Sequence, residues 1–356
     1  MTARAPTLAA VMLVAMLLAS CGGPSGTAVP KADPKAASKA EYGSRTVTDC
    51  TKTTSTFTSA PTRLAAITPS MLEILLAMGQ KDRIVGIAAV APNAFPPDLQ
   101  KQADALPKLS GEYVPGAFVP TQREQLLAVN PDFVLGGWPS NFDATRGAMS
   151  QADMTERKIN SYFALSVRCA QTSPMTDFSI LYQDIRNLGK VLAAEDAAES
   201  MVSKMEATVA DAKAKVGDAS RPKVFNYNFE DGARGKNAYG IGNQSIINAA
   251  IHQAGGKNIF DDVNAVSQAV SWENVADRNP DVIVLEVFAK PTQADFDKAV
   301  ADAKAFFTND PGLQNVAAVK NGKFVIMPAE GYYVGSSRNA ESVALLARAL
   351  HPDKLK

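Results

Sequence analysis

Two stretches of this chain nearly repeat one another, and that repetition limits the architecture more than any other feature. The first runs Arg123-Glu124-Gln125-Leu126-Leu127-Ala128-Val129-Asn130-Pro131-Asp132-Phe133-Val134-Leu135. The second runs Trp272-Glu273-Asn274-Val275-Ala276-Asp277-Arg278-Asn279-Pro280-Asp281-Val282-Ile283-Val284-Leu285. In each, a Glu stands seven residues before a Pro, and an Asp and an apolar run follow. Proline disfavours helical geometry in the residue before it, so each stretch predicts a short helix stopped at Asn-Pro. The apolar run after it suits a strand covered on both faces, as parallel strands are. Two such units, 149 residues apart, predict two similar lobes.

The 356 residues are enough for two α/β lobes with ample core. The 36 Lys and Arg balance 36 Asp and Glu. With no basic stripe, nucleic acid is not an expected partner. At the N-terminus, Arg4 and the apolar stretch from Leu8 to Leu18 form a signal too short to span a bilayer with ease. Leu18-Ala19-Ser20-Cys21 follows and resembles a bacterial lipobox, which makes residues 1–20 a lipoprotein signal peptide and Cys21 the lipidated residue. An ordinary secretory signal is the alternative. Two or more acyl chains would hold the protein on a membrane surface, on the extracytoplasmic face. The other two cysteines, Cys50 and Cys169, form an even pair in an oxidising compartment, so a disulfide is expected, with two unpaired thiols as the alternative.

Residues 21–44, rich in Gly, Pro, Lys and Ala, lack apolar periodicity and read as a flexible tether. A first lobe over 45–176 begins at Arg45-Thr46-Val47, a β-type run. Arg63 to Ile67 is a strand, and Ser70 with Glu73 three residues on predicts a capping box on the next helix, which closes at Gly79. Ile84 to Ile87 and Tyr162 to Leu165 are further strands. Residues 177–216 carry two helical patterns. The second, Glu195 to Val216, has Met201, Val202, Met205, Val209 and Val216 on one stripe and at ~1.5 Å per residue reaches roughly 33 Å. It reads as the connector between lobes. The second lobe, 217–356, opens with the strand Lys223 to Tyr227 and echoes the first: Ser245-Ile246-Ile247, an Ala-rich helix, Gly255-Gly256, then Asn258-Ile259-Phe260. Residues 306–319 read as helix and turn, Lys323 to Pro328 as a strand, and Ser342 to Leu350 as a closing helix. Strands alternating with helices indicate α/β lobes with mainly parallel sheets.

Four stretches in this order resemble one family: 69–79, the Glu124 unit, the Glu273 unit, and Val319-Lys320-Asn321-Gly322-Lys323-Phe324-Val325. They are similar to the substrate-binding proteins of bacterial ABC importers that carry ferric siderophores, cobalamin and haem. The resemblance implies two Rossmann-like lobes joined by one long rigid helix, the class III periplasmic binding architecture, with ligand in the cleft between them and a monomeric protein. It also implies that Glu124 and Glu273 dock into arginine pockets of a permease dimer, which works with its ATPase in the cytoplasmic membrane. The plainer reading is that both are solvated helix-face glutamates.

Open α/β sheets bind ligands beyond the C-terminal ends of their strands. That rule points to Tyr113 and Trp138 in the first lobe, and to Tyr227, Phe229, Arg234, Tyr239, Tyr332, Tyr333 and Arg338 in the second. Aromatic faces with a few guanidinium groups suit a large, planar or chelated, anionic molecule. With His252 and His351 the only histidines, His-ligated haem and zinc are disfavoured, and no metal or other cofactor of the protein's own is expected. A ferric siderophore is the first expectation and cobalamin the next. The run Gly136 to Phe142, with Ser337-Arg338-Asn339-Ala340, also looks like an actinobacterial subgroup proposed to import a deazaflavin cofactor precursor. A lipid-anchored enzyme is the competing class. The chain lacks a Gly-x-Ser-x-Gly elbow, a His-Glu-x-x-His pair and a Walker-type loop, so a non-catalytic binder is expected.

Overall fold

In the computed structural model, residues 42–114, 119–168, 173–228 and 237–355 are described. An antiparallel ribbon of β1 (Arg45–Thr48) and β2 (Thr54–Phe57) leads into the first sheet. That sheet holds β3 (Leu64–Ala66), β4 (Ile84–Ile87), β5 (Phe133–Gly136) and β6 (Asn160–Phe163), all parallel, in the order β4-β3-β5-β6. Its helices are α1 (Pro69–Ala77), α2 (Pro97–Asp104), α3 (Arg123–Ala128), α4 (Gln151–Glu156) and α5 (Leu165–Arg168). Two long helices follow, α6 (Ser179–Leu192) and α7 (Glu195–Val216).

The second sheet contains β7 (Lys223–Asn228), β9 (Lys257–Asn258), β11 (Val282–Val287) and β12 (Phe324–Pro328), again all parallel, in the order β12-β11-β7-β9. Counted from the first strand of each sheet, both orders read second, first, third, fourth. The repetition seen in sequence is therefore a repetition of topology. Around this sheet lie α8 (Ile246–Gln253), α9 (Trp272–Arg278), α10 (Gln293–Asn309), α11 (Ala317–Lys320) and α12 (Asn339–Leu350). Outside it, β8 (Asn237–Ile241) pairs antiparallel with β10 (Ser267–Ser271).

The Glu-to-Pro units show why the repeat exists. Burial over 122–131 matches that over 271–280 position by position, with Leu126 and Val275 as the single buried anchor before each Pro. Asn130 and Asn279 both take φ 44°, the left-handed geometry that ends a helix and that Asn tolerates. The Asp after each Pro then reaches the neighbouring strand. Asp132 accepts the Arg63 N–H at 3.0 Å, and Asp281 accepts the Lys223 N–H at 2.7 Å. Those basic side chains reach back to the helix ends, Arg63 to the carbonyls of Val129 and Asn130, Lys223 to that of Arg278. Each unit thus satisfies the last carbonyls of a helix and the first N–H of a strand with one loop.

Alternation along the central strands sorts the core. Phe133 and Leu135 of β5 and Val282 and Val284 of β11 face one apolar cluster, while Val134 and the pair Ile283 and Leu285 face two separate outer ones. The shared cluster includes Ala198, Val202, Met205, Val209, Ala212 and Val216, a continuous stripe down α7. The final helix α12 packs along the same helix through Val343, Leu346 and Leu350.

Several local expectations need correction. The N-cap of α1 is Thr68, with no side-chain cap bond, and Ser70 lies inside the helix. Glu73 caps nothing: it is fully buried and turned toward the second lobe. The helix expected from Phe306 starts at Gln293, with the Thr292 hydroxyl as its cap, and Phe306 sits in its last turns. The strand placed at 162–165 is Asn160–Phe163, and the closing helix starts at Asn339. The β-type run expected at Arg45-Thr46-Val47 is β1, whereas β2 and the β8–β10 ribbon have no counterpart among the sequence expectations.

Candidate functional site

In each sheet the chain turns in opposite directions after the first and third strands, so the strand ends diverge there and leave a crevice. The two crevices face each other. Between them is a cavity of about 360 Å³. The first lobe lines it with Ile67, Thr68, Ser70, Phe95, Tyr113, Thr121, Trp138 and Asn141, at and beyond the ends of β3, β4 and β5. The second lobe adds Phe288, immediately after β11, and Glu330, Tyr333 and Val334 after β12.

Five aromatic rings, Phe95, Tyr113, Trp138, Phe288 and Tyr333, stand in the described lining. Trp138 and Tyr333 meet across the lobes with centroids 5.7 Å apart and planes inclined by 33°, and Phe288 stands edge-on to Tyr333 at 6.0 Å. Among the described lining residues Glu330 is the only charged side chain, and its carboxylate accepts the Ala289 N–H at 2.7 Å. The hydroxyls of Ser70 and Thr121 are buried and have no hydrogen-bond partner among the described residues.

Behind the cavity wall the lobes are locked together. Arg338 donates to Glu73 through Nε at 3.0 Å and Nη2 at 2.9 Å, and Nη2 also donates to the Ala94 carbonyl at 2.9 Å. The hydroxyls of Ser336 and Ser337 donate to the same Glu73 oxygen at 3.0 and 2.5 Å. Burial works to lower the Arg338 pKa, but the hydrogen bond and charge of Glu73 outweigh it and the pKa rises. The loop before α12 comes this close because Gly335 has no side chain: a Cβ there would stand 2.3 Å from Ser166 Oγ of the first lobe.

Of the residues the sequence pointed to, Tyr113, Trp138 and Tyr333 line the cavity. Arg338 does not. Its guanidinium is engaged by Glu73, and its side chain borders a separate hollow beside Met201 and Met205 of α7. Tyr227 is buried in the outer core of the second lobe, stacked on Phe306 at 5.9 Å and edge-on to Trp272 at 5.5 Å. Tyr332 is fully buried in the shared core, and burial raises its pKa well above the ordinary tyrosine value. Tyr239 is exposed on β8. The strand-end rule overreached for these because it locates a loop and not the direction of a side chain; inside a strand, alternate residues face away from the crevice. Phe229 and Arg234 lie outside the described residues, as do Cys21 and Cys169. Cys50 is described, and its N–H donates to the Phe163 carbonyl at 3.0 Å, at the end of β6. Phe288, Phe95, Glu330 and Asn141 were missed. Phe288 was within reach of the same rule, since it directly follows the apolar run of the second Glu-to-Pro unit.

Glu124 and Glu273 are both exposed, each in the first turn of its helix. There a carboxylate complements the partial positive charge of the helix start.

The family model described as periplasmic binding protein matches residues 64–330. The chain is 26% identical over its whole length, and over the whole of the relative, to an uncharacterized ABC transporter substrate-binding lipoprotein, YvrC, of Bacillus subtilis. It is also 26% identical to a cobalamin-binding protein of Halobacterium salinarum, covering 96% of this chain and 84% of that one. Among solved structures, an ABC-type Fe3+-hydroxamate transport system protein from Saccharomonospora viridis shares the fold with a TM-score of 0.70. That match covers 85% of this chain and 98% of the other, at 22% identity. The chain therefore belongs to the periplasmic binding protein family.

Proposed function

We propose that the protein captures a compact ligand, a small chelate or ring system, between its lobes and delivers it to an ABC permease without chemical turnover. The observation that carries this is the Trp138–Tyr333 pair, one ring from each lobe, at the wall of a cavity of about 360 Å³. That volume is near the lower end for ligand sites, which run from roughly 300 to 1,000 Å³. It suits a small ring system or a compact chelate better than a whole corrinoid. The buried Ser70 and Thr121 hydroxyls call for a ligand with polar edges. Among siderophore complexes, a wall that is mostly apolar and aromatic favours compact uncharged chelates such as ferric hydroxamates. A deazaflavin-type precursor is the second reading, supported by the ring from each lobe.

In the same proposal Cys21 carries the lipid and residues 21–41 form the tether, shorter than the sequence predicts because Tyr42 is buried in the core with its hydroxyl donating to the Val191 carbonyl at 2.5 Å. Cys50 pairs with Cys169, and the protein acts as a monomer on the extracytoplasmic face. Attachment to the membrane is the role of the lipidated Cys21; among the described residues no helix is long and apolar enough to cross a membrane. The Cys50 N–H bond to Phe163 supports the disulfide by holding Cys50 beside a residue that stands six before Cys169 in the chain. Glu124 and Glu273 grip the permease. Their matched burial on repeated units supports two equivalent handles for a two-fold partner. The shared core and the Glu73–Arg338 pair support small lobe movements on loading.

Native mass spectrometry of the protein purified from its host tests the ligand class directly. Fluorescence titration with a ferric hydroxamate, cobalamin and a flavin separates the candidates, with Trp138→Phe as the control. Quenching by the hydroxamate or flavin that disappears in the control is the expected result. Tight binding of cobalamin alone would overturn the compact-ligand reading.

A further inference from the structure

The backbone ladder between β3 and β5 ends at the bond from Ile67 N–H to the Leu135 carbonyl, 2.9 Å. Beyond it the strands part to open the crevice. One side chain bridges the gap. Asn141 Oδ1 accepts the Trp138 N–H at 2.8 Å, the Gly137 N–H at 3.2 Å and the Thr68 hydroxyl at 2.8 Å. Its Nδ2 donates to the Ile67 carbonyl at 3.0 Å. The Thr68 hydroxyl in turn accepts the Gly137 N–H at 2.7 Å. The donor and acceptor roles close without conflict: the amide replaces the missing peptide group, offering one donor to β3 and an acceptor to the end of β5.

The short turn Pro139–Phe142 that carries Asn141 is itself held from both sides. A Cβ on Gly136 would stand 2.7 Å from the Phe142 ring, and one on Gly147 would stand 2.3 Å from the Ser140 carbonyl oxygen. Asn141 is 5% exposed, so water does not compete for these bonds.

We infer that Asn141 is a positioning residue of the ligand site: it sets where Trp138 stands, and through Trp138 the geometry of the ring pair that spans the cleft. The inference rests on the reading of Trp138 as ligand wall, but its test needs no ligand. The chain has two tryptophans, Trp138 and Trp272, and Trp272 packs in the outer core of the second lobe. Labelling with 5-fluorotryptophan therefore gives two fluorine resonances, one reporting the site and one the fold. In Asn141→Ala the Trp138 resonance shifts or broadens by more than its linewidth while the Trp272 resonance stays in place. Asn141→Asp keeps an oxygen facing the two N–H groups and returns the Trp138 resonance toward its original position. A merely structural role would move both resonances together in both variants, and a Trp138 resonance unmoved in Asn141→Ala would overturn the assignment outright. Should Asn141→Ala not fold, Thr68→Val, which removes the hydroxyl seated on Oδ1, takes its place under the same criterion. Loss of ligand binding with an unmoved Trp138 resonance would leave the cleft reading standing and sink this one.

Discussion

Removing one partner of the Glu73–Arg338 pair should be among the most damaging single changes available to this chain. Glu73 is fully buried and receives four donated hydrogen bonds, two of them from the guanidinium. Arg338→Met takes away the compensating charge and leaves the carboxylate with two serine hydroxyls. Breaking a buried pair from one side costs about 3–5 kcal/mol, a large share of a typical stability of about 5–15 kcal/mol. Glu73→Gln costs less, because Arg338 keeps the Ala94 carbonyl and its side chain retains 18% exposure. The double variant removes both charges, so its loss falls short of the sum of the singles, with a coupling on the order of 2 kcal/mol. Urea unfolding of the four proteins measures this directly. Additivity within about 0.5 kcal/mol would show that the pair does not act as a unit and would refute the lock.

Other outcomes follow from the same geometry. Glu124→Ala combined with Glu273→Ala should abolish uptake in cells while leaving ligand affinity unchanged; unimpaired uptake would end the docking role. Trp138→Ala should weaken ligand binding by about tenfold or more, since a lost ring contact in a cleft is worth on the order of 1 kcal/mol beyond the area it buries. Tyr182 has its pKa raised from 10.0 to about 12, first by burial and then by the charges of Glu206 and Asp177. A phenol with a raised folded pKa holds its proton longer when folded, so its contribution is whole below pH 10.0 and declines as pH rises toward about 12. Tyr182→Phe should flatten the fall of the unfolding midpoint over that window.

What could be read in the sequence followed from local chemistry. Asn-Pro-Asp before an apolar run describes a helix stop and a strand start whatever surrounds it, so both units were legible, and so was the stripe of α7. Of the two ribbons only β1 was, as the β-type run from Arg45; the pairing with β2 and the whole of β8–β10 were not. Their partners lie outside the central sheets, and a run such as Ser267-Gln268-Ala269-Val270-Ser271 carries no apolar alternation strong enough to announce a strand. Glu73 misled because its spacing from Ser70 fits a capping box, while its partner is 265 residues away. Arg338 misled in the same way: a guanidinium past a strand end can face a ligand or a carboxylate, and only the tertiary contact decides. Tyr113, Trp138 and Tyr333 reached the cavity because the loops beyond the strand ends of both lobes border it, whereas Asn141 was hidden in a turn whose role emerges only once β3 and β5 are seen to part.

The apolar cluster that runs from the first sheet through α7 and α12 into the second has a thermodynamic consequence for the whole molecule. Two lobes with separate cores would melt separately. Here Leu135 and Val284 sit in the same cluster, so opening either sheet exposes surface that the other depends on. Calorimetry should record one transition whose van't Hoff and calorimetric enthalpies agree, and neither lobe expressed alone should fold. Repetition in the chain, on this account, produced one cooperative unit and not two.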